Sequence, residues 1–115
     1  MKNDTQALLA ALGTGGADFA AVLAHIDAAY DFTPTAFDNG AAHNAAGQNS
    51  GSCKVLSFAQ IEGLSAAQTL QLFAEHYQAV LASPEAQDHA NIRNFMQHGW
   101  AGVRFASAAL VAKAA

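Results

Sequence analysis

Charge is what this chain has least of. Only 12% of its 115 residues are Asp, Glu, Lys or Arg, about half the usual share of ~25%. Cations are scarcer still, five against nine acids, and the formal net charge is -4. Binding a row of phosphates needs a matching row of Lys and Arg, so nucleic acid is not an expected partner. With 52% hydrophobic residues, a disordered chain is also excluded, because disorder requires low hydrophobicity and high net charge. There is one cysteine, Cys53, so no intrachain disulfide can form, which fits a reducing compartment. No apolar run approaches the ~20 residues of a membrane span. The start, Met1 to Thr5, lacks the apolar core of a signal peptide. No membrane partner and a cytoplasmic location are therefore expected. Neither an internal repeat nor a long linker divides the sequence. Typical domains run to ~100–150 residues, so residues 1–115 are expected to form one domain.

What the chain has in abundance is alanine, 29 residues, the strongest helix former. Leu8, Leu9 and Leu12 share one face of a short helix that Asp4 or Thr5 can cap and the glycines from Gly13 end. Phe19, Val22, Leu23, Ile26 and Tyr30 have the spacing of a second helix. Residues 31–52 carry Pro34, Asn39-Gly40, Gly47 and Gly51 and read as a loop, polar without being charged. The run Lys54 to Ala59 is too short for periodicity to separate strand from helix. Ser65 and Gln68 form a capping box, opening a helix with Leu70, Phe73, Tyr77 and Val80 on its buried side and Ser83-Pro84 as its stop. Asp88 is the expected cap of a further helix over 89–98, with Ile92, Phe95 and Met96 inward and Gly99 at its end. A strand or turn near Trp100 and a helix from about Ala106, with Lys113 in its last turn, complete the expected elements.

Two stretches carry candidate chemistry. In Asn44–Lys54, NAAGQNSGSCK, two glycines allow close backbone approach, and successive N–H groups, hydroxyls and Lys54 suit an anion or carboxylate. The spacing is not that of a nucleotide P-loop, since Ser52 and Cys53 separate Gly51 from Lys54. An Asn/Ser-rich turn bonding its own backbone is the plainer alternative. In Asp88–Trp100, Arg93 suits carboxylate or phosphate, with pairing to Asp88 or Glu85 as its structural alternative. Cys53 with His89 is a weaker candidate for a thiol nucleophile and its base, since a lone Cys is most often a small buried hydrophobe. Five histidines occur, but no His-Glu-x-x-His or Cys-x-x-Cys spacing. No metal and no cofactor are therefore expected.

NAAGQNSGSCK at 44–54, Phe58-Ala59, Leu70 to Phe73, DHANIRNFM at 88–96 and Gly99-Trp100, Gly102 and Phe105 together resemble the HopJ type III effector family. Phe32-Thr33-Pro34 and Phe37 to Gly40 resemble it too, so the similarity spans about residues 30–105. The family is named for bacterial proteins delivered into plant cells through a type III system. The resemblance thus implies translocation into a host cell as the alternative to a cytoplasmic location, and it brings no catalytic residues with it.

The expectation is a compact, single-domain, mainly α fold that allows one short β-hairpin near residues 53–59. Its function is expected to be binding of a small polar or anionic ligand where 44–54 meets 88–100. Lys54 and Arg93 would be charge anchors, and Asn44, Gln48, Asn49 and Asn91 neutral hydrogen-bonding groups. A thiol-dependent enzyme using Cys53 and His89, and a non-catalytic domain with a protein partner, are the alternatives.

Overall fold

The computed structural model describes residues 2–113, with side chains from Thr5 onward. Helix α1 spans Lys2–Gly13 and α2 Phe19–Ala29. Thr5 lies inside α1, where its hydroxyl donates to Glu62; the side chain of Asp4, its alternative as cap, lies outside the described ones. Asp18 caps α2 by accepting from the Ala21 N–H at 2.9 Å. Helix α3, Ser50–Glu62, runs through the centre of the molecule and ends at Gly63, whose φ of 69° suits glycine.

Residues 53–59 are helical and belong to α3, so the hairpin expected there does not exist. Cys53, Val55, Leu56, Ser57, Phe58 and Ala59 are all buried. A helix covered on every side has no polar face and so no period to read. His25 and Tyr30 set their ring edges against Phe58, with centroids 5.6 and 5.9 Å away, closing the α2–α3 contact.

The stretch expected to be one loop instead supplies three strands, β1 (Tyr30–Phe32), β2 (Phe37–Asn39) and β3 (Ala42–Asn44). The chain returns to them through β4 (Val103–Phe105) and β5 (Leu110–Ala112). Two small antiparallel sheets result, β1–β5 and β3–β2–β4. The fold is thus mainly α with short strands. Among the described residues no helix forms after Ala106 and none contains Lys113, since residues 110–112 pair with 30–32 instead. Three-residue strands are too short for alternation to show in sequence.

The Ser65–Gln68 capping box is present in both directions, at 3.0 and 3.1 Å. The helix it opens is broken, however, into α4 (Ala66–Gln71) and α5 (Glu75–Ala82). Phe73 and Ala74 donate three residues back, to Leu70 and Gln71, and Ala74 adopts φ 51°. This turn lets Phe73 stack on Phe19 at 6.2 Å and lets Glu75 accept from the Phe19 N–H at 2.8 Å. Helix α6 spans Ala90–His98 and a 3-10 turn follows at Gly99–Gly102. Ile92 and Phe95 face the core, but Met96 is 43% exposed. Among the described residues no helix is long and apolar enough to cross a membrane. The radius of gyration is 13.3 Å, the value of one compact domain of this length, about 13 Å.

The hairpin turn and the 3-10 turn touch backbone to backbone. Gly40 donates to the Gly102 carbonyl at 2.9 Å, and a Cβ added at Gly102 would lie 2.9 Å from Gly40 N and from His98 Cβ. Gly102→Ala is therefore expected to cost about 2 kcal/mol, the scale of overpacking a tight contact, read as a lower urea midpoint. Gly13→Ala, whose methyl meets open space, is the control and should leave stability unchanged or slightly higher.

Candidate functional site

Period-two alternation turns Phe37 and Asn39 of β2 inward together, and the register sets Phe37 opposite Asn44 of β3. The inward amides meet the first turn of α6. Asn91 Nδ2 donates to Asn44 Oδ1 at 3.0 Å, and Asn44 Nδ2 donates back to Asn91 Oδ1 at 3.1 Å. Asn39 Nδ2 donates to the Asn91 backbone carbonyl at 2.7 Å and to Asn91 Oδ1 at 3.1 Å. Asn49 Nδ2 adds a bond of 2.6 Å to Asn44 Oδ1. Asn39, Asn44 and Asn91 are buried, and Asn39 Oδ1 is left without a partner.

This network fixes the starts of two helices side by side. Asn49 precedes α3 with φ 51° and His89 precedes α6 with φ 52°, both left-handed, and neither side chain caps its helix. Asn and His are among the residues that tolerate this conformation best. The first-turn N–H groups of any helix have no acceptor within it. Here the first turns of both helices, Gly51 and Ser52 on one side and Ala90, Asn91 and Ile92 on the other, line one cavity of about 310 Å³. Its remaining walls are aromatic. Phe19 packs on Gly51, where a Cβ would lie 3.2 Å from the ring, and Phe73 stacks on Phe19. His76 stands edge-on to Phe19 at 4.7 Å and faces His89 at 5.2 Å between ring centroids. Among the described residues no group of three or more His, Cys, Asp or Glu is placed to hold a metal ion.

A family model for the HopJ type III effector protein matches residues 5–110. The chain belongs to the HopJ family. A crystal structure described as that of unknown function protein VPA0580 superposes with a TM-score of 0.87 at 44% identity, covering 94% of this chain and 92% of that one. No curated protein matches.

In this HopJ chain the two polar stretches meet, but their residues take roles of three kinds. Asn44 and Asn91 bond each other. Gln48 is exposed and its side chain accepts from the Ala45 N–H, closing the turn. Lys54 pairs with Asp27 at 2.9 Å and lies over the Phe32 ring. Arg93 donates to the Asp88 carboxylate at 2.7 Å, the Asp88 carbonyl at 2.6 Å and the Pro84 carbonyl at 3.2 Å. Asp88 is thus Arg93's partner and not the cap of α6. Of the expected set, Asn49, His89 and Asn91 border the cavity. Cys53 is buried with its thiol toward the Thr35 carbonyl at 3.7 Å, and burial pushes that thiol above its usual value. A nucleophile needs the opposite shift. Phe19 lies more than fifty residues from Phe73 and His76, and no local spacing announced their meeting.

Two outcomes test this geometry. Asn44→Ala and Asn91→Ala should each cost about 2–3 kcal/mol, because each strands buried amide groups. The double variant should cost less than the sum, with a coupling of about 1 kcal/mol or more in urea unfolding. Separately, the Arg93 hydrogen bond holds the Asp88 carboxyl below the usual carboxylate range. A depressed folded value means the pair's support is present at neutral pH and is lost as pH falls through that value. A carbon-13 titration should place Asp88 below its ordinary midpoint, and Arg93→Gln should return it.

Proposed function

We propose that this HopJ-family domain binds a small anion in the cavity between the starts of α3 and α6. The observation that carries this reading is a contrast between helices. Helices α2 and α4 begin elsewhere and have side-chain caps, Asp18 and the Ser65 box. Helices α3 and α6 open on the cavity and have none, although Asn49, an excellent cap by type, stands in position; α5 also lacks a side-chain cap, but its first turn carries the acidic Glu75. The Asn49 side-chain N–H donates to Asn44, and its backbone is left-handed at φ 51° instead of the extended conformation of a side-chain cap. Uncapped N–H groups and the positive ends of two helix dipoles are the standard means of holding an anion. Both first turns face one half-open cavity, with two imidazoles beside it. A larger hollow of about 670 Å³ lies between the α1–α2 loop and α5, but its Asp18 and Glu75 carboxylates already accept from the Ala21 and Phe19 N–H groups.

The family description makes delivery through a type III system the cellular role to examine. Residence in the bacterial cytoplasm is the competing one, and a translocation reporter on the full chain separates them.

Titration with sulfate, followed by amide NMR, is expected to shift Gly51, Ser52, Ala90 and Asn91 with a millimolar Kd. Ser52→Asp should abolish the effect. An aspartate in the first turn suits the helix dipole, so the variant should stay folded while its carboxylate occupies the anion's place. Shifts that avoid these four residues, or sulfate binding undiminished by Ser52→Asp, would refute the assignment.

A further inference from the structure

A bare oxyanion fills only part of this cavity. It takes roughly the room of two or three waters, about 60–90 Å³ at ~30 Å³ each, against about 310 Å³ available. The space left over is bounded by Phe19, Phe73 and Ile92. The two phenyl rings lie within 10° of parallel with centroids 6.2 Å apart, so one wall of the cavity is aromatic. Beside that wall stand His76, itself edge-on to Phe19, and His89, 5.2 Å away.

We infer that the ligand is a small aryl anion, its ring laid against Phe19 and Phe73 and its charged group beside His76 and His89. This rests on the anion reading above and narrows it to a chemical class. Aromatic pairing favours a planar body over an aliphatic one of the same size. The imidazoles add a second property. A bound anion favours the charged form of an imidazole beside it. Binding must then strengthen as pH falls, by linkage.

The other charged groups nearby are already engaged. Glu75, adjacent to His76 on α5, accepts from the Phe19 N–H. Asp88 approaches His89 with its second oxygen at 3.8 Å while its first is bonded to Arg93. At the start of α2, Asp18 accepts from the Ala21 N–H. The first turn of α3, Ser50 to Ser52, contributes no charged side chain.

Three probes separate the terms by isothermal titration: benzenesulfonate, methanesulfonate and benzyl alcohol. The two sulfonates keep one negative charge across pH 5.5–8, so any pH dependence belongs to the protein. Benzenesulfonate is expected to bind at least about fivefold tighter than methanesulfonate, the scale of one aromatic contact, and benzyl alcohol not detectably. Its affinity should rise several-fold from pH 8 to 5.5. That rise should vanish in a His76→Asn, His89→Asn double variant, in which asparagine keeps the left-handed turn before α6 accessible. Phe19→Leu should erase the advantage of the ring while leaving methanesulfonate binding in place. Equal affinity for the two sulfonates would overturn the aryl assignment and leave the anion site standing. A flat pH profile would remove the histidines from the site. Absence of binding by both sulfonates would overturn this inference, and sulfate binding would then decide whether the anion reading falls with it.

Discussion

The rest of the site depends on a reciprocal amide pair, Asn44 with Asn91. Two side chains 47 residues apart in sequence satisfy each other away from water, and Asn39 and Asn49 complete the set. A neutral hydrogen bond contributes only about 1 kcal/mol net, whereas a buried amide left unpaired costs about 1–3 kcal/mol. The network therefore acts less as a source of stability than as a penalty on every other arrangement. It holds a β-hairpin and two helix starts in one relative position.

The same network determines what those helix starts can do. Because Asn49 bonds sideways to Asn44, it does not fold over its own helix, and the first turn of α3 stays open to the cavity. A side-chain cap contributes about 1 kcal/mol, and α3 and α6 forgo it together at one place. Local preference and tertiary arrangement normally agree, and exceptions concentrate at functional sites. The left-handed backbone at both Asn49 and His89 belongs to the same pattern.

Much of the helical framework was legible. The capping box at Ser65, the apolar spacing of α2 and the stop at Gly99 each have a local cause that a sequence displays. The failures share a different cause. Helix α3 lost its signature because six of the seven residues 53–59 are buried, and the break at Ala74 follows from the stacking of Phe73 on Phe19, a partner more than fifty residues away. The strands were hidden because each is three residues long. At the site, the polar stretches were visible as stretches, and their contact is in the structure. The assignment of single residues was not visible, because an asparagine that bonds a ligand and one that bonds another asparagine have the same neighbours in sequence.

The scarcity of charge takes on a specific meaning at this point. Lys54 and Arg93 were the natural anchors for an anion, yet both serve as struts. Lys54 joins α3 to Asp27 and Phe32, and Arg93 ties the 84–88 segment to α6. What faces the cavity is instead backbone dipole and imidazole. A fixed ammonium or guanidinium there would require desolvation on binding and would attract anions at every pH. Peptide dipoles are held in place by the fold and need no counter-ion, and histidine adds charge only when the medium supplies a proton. An anion held in a cavity so built would be selected on shape and on pH together, which a cationic patch does not do.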